Sequence, residues 1–148
     1  MNKNKIGYAK ISVFPALDKI KSSLLKLKKD EAMIVKSIHH EADYYSSFYS
    51  FKEKMPNKFM YFFFPPKEDE IKKWMIDNGF KFDEQYKDPF DNDQVHKQNI
   101  MNRCVLGYYA QRIHRLEAIQ SFIVKAQEMD AFEVELSDED IVLLCENA

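Results

Sequence analysis

Hydrophobic positions along this chain change their period several times, and those changes predict where its elements lie. Residues 6–14 alternate moderately and are rich in β-formers, which predicts a strand closed by Pro15. Residues 16–29 place Leu17, Ile20, Leu24 and Leu27 at helical spacing with lysines on the other side, an amphipathic helix. Residues 32–38 (AMIVKSI) read as a second strand. The stretch 39–55 admits two readings. It is either an extended aromatic segment or part of a helix begun near Asp30, with Ile34, Ile38, Ala42 and Tyr45 in one stripe. Pro56 and Asn57 break the chain, and the run 59–64 (FMYFFF), apolar on both faces, suits a buried central strand.

The second half is better signalled. Pro66 suits a first helical turn, Glu68, Asp69 and Glu70 favour its positive end, and Gly79 supplies a left-handed stop. Residues 80–82 read as a short strand, and 83–93 as a polar loop. Residues 93–129 then form one helical stripe: Met101, Val105, Tyr109, Ile113, Leu116, Ile119, Ile123 and Ala126. Phe132, Val134 and Leu136 alternate with Glu133 and Glu135 as an edge strand. Ser137 with Asp140 resembles a capping box that opens a last helix through Leu143 and Leu144.

This order predicts a single α+β domain over 1–148 with a ferredoxin-like split βαβ sheet (β-α-β-β-α-β). Its parts would be a core over 1–92, a long helix over 93–129 and an acidic strand–helix tail over 130–148. A mainly α fold is the alternative if 30–55 is helical. A helix of roughly 36 residues spans about 54 Å, against a diameter of about 40 Å for a compact chain of this size. It must bend at Gly107, protrude, or pack in a two-fold dimer.

Composition removes several function classes. Average usage would give about ten glycines, whereas this chain has 3, and no GxGxxG, GxxxxGK[ST] or GxSxG is present. Rossmann, P-loop and α/β-hydrolase chemistry are thereby excluded, and no cofactor is expected. The 2 cysteines, Cys104 and Cys145, make neither a disulfide framework nor a zinc quartet. No apolar run approaches the roughly 20 residues of a membrane helix, and the first residues carry no secretory pattern. A cytoplasmic protein with reduced thiols and no membrane partner is expected. The Lys/Asn/Ile/Phe-rich usage is typical of AT-rich coding sequence, as in low-GC bacteria and their phages.

Charge changes the picture most. Residues 1–29 hold eight lysines against Asp18, whereas residues 126–148 hold eight acids and no Lys or Arg. Such polarity marks either an electrostatic interaction surface or two arms that neutralise each other. Four constellations invite chemistry. His39 with Glu41, and Asp88, Asp91 and Asp93 with His96, are the candidate metal ligands, although a polar patch accounts for the first group and helix capping with loop solvation for the second more simply. Arg112 and Arg115 are i, i+3 neighbours, and with Lys19 and Lys26 they would make a nucleic-acid footprint. The aromatic series containing Tyr44, Tyr45 and Tyr49 suits either a core or a contact surface. The acids Glu133, Glu135, Asp138, Glu139 and Asp140 suit a partner with a basic surface.

The functional expectation is a small non-enzymatic binding protein that inhibits a protein or nucleoprotein with a basic surface, in the manner of a phage-type anti-defence or immunity protein. Direct nucleic-acid binding and a metal-dependent enzyme are the alternatives. No catalytic residue is assigned.

Overall fold

Between Pro15 and Pro56 the chain contains neither glycine nor proline, so nothing local stops a helix once it starts. In the computed structural model, which describes residues 7–56 and 65–146, it does not stop. Strand β1 (Tyr8–Ser12) leads directly into α1 (Val13–Glu53). Then come α2 (Glu68–Asp77), α3 (Asn92–Glu128), β2 (Glu133–Ser137) and α4 (Asp138–Glu146). The ferredoxin-like sheet is not formed. Among the described residues there are two strands, β1 and β2, paired antiparallel from Tyr8 with Ser137 to Ser12 with Glu133. The fold is mainly α, as the alternative reading had it.

Each correction has a local cause. The segment 32–38 is β-branched enough to mimic a strand, but it lies inside α1. There its less exposed positions, Ile34, Ile38, Glu41, Tyr45 and Phe48, recur at helical spacing. Pro15 does not close a strand; it sits in the first turn of α1, where a backbone N–H would have no acceptor within the helix. The strand expected at 59–64 lies outside the described residues. Residues 80–82 are irregular, because Phe80 belongs to the cap of α2. Its N–H donates to the Met75 carbonyl at 2.9 Å, and the N–H of Gly79 (φ 100°) donates to that of Ile76 at 3.1 Å. This is a Schellman motif, with Phe80 packed in one cluster with Met75. The end of α3 repeats it without glycine. Asp130 (φ 61°) and Ala131 donate to Gln127 and Ala126, so a residue with a side chain occupies the left-handed position.

The chain divides into two compact units, Met1–Ile34 with Val105–Ala148, and Val35–Cys104. In the first, Val13, Ala16, Ile20, Leu24 and Leu27 of α1 cluster with Ile113, Leu116, Ile119 and Ile123 of α3, Val134 and Leu136 of β2, and Leu144 of α4. In the second, Phe48 and Met55 meet Ile71, Met75 and Phe80, with Tyr44, Phe51, Trp74, Phe82 and Phe90 against them.

The stripe expected along α3 holds only in its second half. Met101 and Val105 are 59% and 40% exposed. The less exposed positions before Gly107 are instead Val95, Gln98, Asn102 and Leu106, at helical spacing, and two of these four are amides. Gln98 Nε2 donates to Asn102 Oδ1 at 3.0 Å, and Asn102 Nδ2 donates to Glu41 Oε1 of α1 at 3.2 Å. A polar seam thus joins α1 to α3 where an apolar one was expected. Gly107 does not interrupt the helix, and a Cβ there would meet nothing within 4 Å.

Three outcomes are expected. Leu116→Ala, at a fully buried position, should cost about 2–5 kcal/mol in urea unfolding. Asp130→Gly should raise the urea midpoint by relieving the left-handed strain, worth about 1 kcal/mol; an unchanged or lower midpoint would contradict it. The third concerns Tyr45, whose hydroxyl donates to the Lys87 carbonyl at 2.8 Å. Burial, then the nearby Glu41 charge, push its pKa up to about 12 from 10.0. The folded state holds this proton more tightly, so the contribution is complete below pH 10 and lost as pH rises from 10 to 12. Unfolding midpoints followed across that window should fall, and Tyr45→Phe should flatten the fall.

Candidate functional site

Antiparallel pairing of β1 with β2 brings the basic start and the acidic end of the chain side by side. Lys10 lies opposite Glu135 in the register. Yet none of the ion pairs among the described residues joins the two arms. The acidic arm is held by arginines of α3 instead. Arg115 Nε donates to Asp140 Oδ1 at 2.9 Å, and Arg112 Nη1 donates to Glu146 Oε2. That carboxylate raises the Arg112 pKa further, and the guanidinium stacks over the Tyr108 ring at 4.3 Å. Lys28 of the basic arm pairs with Glu117 of α3 at 3.2 Å.

The six acids of β2 and α4 therefore fall into two groups. Asp140 and Glu146 fasten α4 onto α3. Ser137 caps the same helix, its Oγ accepting from the Asp140 N–H at 3.3 Å. The expected capping box is half made, because the Asp140 carboxylate turns to Arg115 rather than back to the cap. Glu133, Glu135, Asp138 and Glu139 form the second group. All four are exposed and make no ion pair among the described residues. Glu133 and Glu135 alternate outward with buried Val134 and Leu136 on β2, and Asp138 and Glu139 lie in the first turn of α4. Asp138 and Glu139 suit that position, since a helix N-terminus carries positive partial charge.

Beside this face lies a cleft of about 430 Å³. Glu135, Leu136 and Ser137 of β2 line it, with Arg115, Ala118, Ile119 and Phe122 of α3, Tyr8 of β1, and Glu139 and Asp140 of α4. Tyr8 and Phe122 are 65% and 53% exposed, so the acidic rim adjoins accessible aromatic surface. Neither residue stood out in the sequence; Tyr8 reads as one more β-former and Phe122 falls outside the apolar stripe of α3.

The other candidates are placed differently. Tyr45 is buried in the second unit, and Tyr44 is half-buried there, its hydroxyl accepting from the Asp83 N–H at 3.2 Å. Of the three tyrosines only Tyr49 is exposed, at 44%. Arg112 and Arg115, whose spacing suits either phosphate or carboxylate, are engaged by carboxylates, while Lys26 is exposed and Lys19 half-exposed on α1. His39 is exposed and Glu41 accepts from Asn102. Asp91 caps α3, its Oδ1 accepting from Gln94 N–H at 3.1 Å, and Asp88 Oδ1 accepts from Phe90 N–H at 3.0 Å. Asp93 and His96 are exposed on the first turns of α3. Among the described residues, no three His, Cys, Asp or Glu side chains converge as metal ligands, and no helix is long and apolar enough to cross a membrane. Both cysteines are exposed. The chain matches no protein-family model, no curated protein and no solved structure.

Proposed function

We propose that this chain is a binding protein whose acidic face, made by β2 and the first turn of α4, engages a basic surface on a partner protein and so inhibits it. The observation that carries this reading is the division among the acids. Asp140 and Glu146 have arginine partners, whereas Glu133, Glu135, Asp138 and Glu139 are exposed without one among the described residues. Unpaired like charges gathered on one face repel each other. A complementary partner relieves that repulsion and is steered toward it at a rate that falls with salt. Surfaces that handle nucleic acid are basic, so a protein of that kind is the partner class this face fits best. Direct nucleic-acid binding by Arg112, Arg115, Lys19 and Lys26 is less well supported, because both guanidiniums already face carboxylates.

Reversal of the four free acids to Lys, with Asp140 and Glu146 left in place, should abolish capture of the partner from a lysate of the source cell. Wild-type chain on the same resin supplies the reference. Stability should fall by no more than about 0.5 kcal/mol per site. Equal capture by the two proteins would overturn the proposal.

A further inference from the structure

The backbone of β2 carries information that its side chains do not. The Val13 N–H donates to the Phe132 carbonyl at 2.9 Å, and the Asp138 N–H donates to the Gly7 carbonyl at 3.0 Å. These bonds bracket the ribbon and fix its parity. Hydrogen-bonded pairs alternate with non-bonded pairs along an antiparallel ladder. Ala9 with Leu136 and Ile11 with Val134 are therefore the bonded pairs of this register. At Glu133 and Glu135 the main-chain N–H and C=O point away from β1. Neither residue has a backbone partner on that side among the described residues. Among the described residues, the open edge of β2 is thus flanked by carboxylates that make no ion pair. Three successive residues of the strand, from Glu135 to Ser137, line the cleft against Ala118, Ile119 and Phe122.

Sheet edges of soluble proteins are commonly guarded by lysine, proline or a bulge. This edge carries glutamates, which repel acidic strands and admit basic ones. From this we infer that the acidic face recognises an extended basic segment of its partner, which adds to the open edge of β2 as a third strand. Main-chain bonds to Glu133 and Glu135 would supply affinity. Alternate Arg or Lys side chains would meet the carboxylates of Glu133 and Glu135 on the outward face, and the intervening side chains would face Phe122. The inference rests on the acidic-face reading above and specifies how that face is used.

The test uses the full chain and the peptide acetyl-Arg-Thr-Arg-Thr-Arg-Thr-amide. Two further peptides are N-methylated at the arginines or at the threonines, which keeps the charge and removes alternate N–H donors. In ¹⁵N-resolved NMR at about 50 mM salt, the parent peptide should shift the amides of Glu133 to Ser137 and of Phe122. One of the methylated peptides should bind at least about tenfold more weakly. If all three bind equally, strand addition is overturned and the acidic-face reading stands. If none binds, both are overturned. Two other occupants of the edge would also overturn strand addition by a partner. A second copy would show as concentration-dependent self-association that the peptide reverses. The chain's own residues 1–6 would show as tighter peptide binding once they are deleted.

Discussion

The pairing of β1 with β2 is the constraint on which the first unit depends. It joins segments from opposite ends of the chain. Closing so long a loop costs entropy that a two-stranded ribbon does not recover alone. The ladder therefore depends on the packing of α1 on α3 through Ile20, Leu24, Leu116 and Ile123, which presents the apolar side of β2 with a surface. Once formed, it fixes three things together. It sets where α1 begins, because Val13 continues the ladder onto Phe132. It sets where α4 begins, through the bond from Asp138 to Gly7. A Cβ on Gly7 would lie 2.1 Å from the Asp138 carboxylate, so any larger residue there would require that exposed side chain to turn aside. It also determines which backbone groups of β2 face outward.

Electrostatics within this unit follow from the ladder in an unexpected way. Opposite charges at the two chain ends suggest mutual neutralisation, and the register does place Lys10 across from Glu135. Neutralisation comes instead from α3, whose Arg112 and Arg115 take Glu146 and Asp140. An arginine offers a planar fork that matches a carboxylate, whereas lysine is a strongly hydrated point charge on a flexible stem. Among the described residues the lysine-rich arm pairs with none of these acids, and Arg112 and Arg115 of α3 take two that lie on α4. What remains is a face that is acidic because of where its cations are, not merely because of how many acids it holds.

Legibility of the fold from sequence tracks how local each signal is. The Gly79 stop of α2, the extent of α3, strand β2 and the Ser137 cap are set by neighbouring residues and read correctly; α2 itself opens at Glu68 after an N-cap at Lys67, so Pro66 lies just outside its first turn. Segment 32–38 misled because Ile34, Val35 and Ile38 satisfy both a strand and a helix. The deciding fact, the absence of any breaker between Pro15 and Pro56, extends over the whole segment rather than within it. The polar seam of Gln98 and Asn102 was hidden for a related reason. A hydrophobic stripe is traced through apolar residues, so it ran through Met101 and Val105 and missed amides that reach a half-buried site by bonding to each other and to Glu41. The arginine–carboxylate pairs and the free edge of β2 depend on contacts between distant segments, which composition and periodicity do not encode. The acids themselves were legible; their division into paired and unpaired was not.

That division bears on how the acidic face can serve two purposes. If all the acids of 130–148 were free, their repulsion would oppose the docking of α4, whose Leu144 is 4% exposed and part of the core. If all were paired, no charge would remain to select a partner. Anchoring Asp140 and Glu146 to α3 lets the helix pack, and it holds Asp138 and Glu139 in a fixed first turn beside the edge of β2. The acids without an ion pair among the described residues are thereby held in place, so less conformational freedom would be lost on meeting the proposed partner. A disordered acidic tail of the same composition would attract the same basic surfaces, but without a strand edge or a defined geometry to discriminate among them.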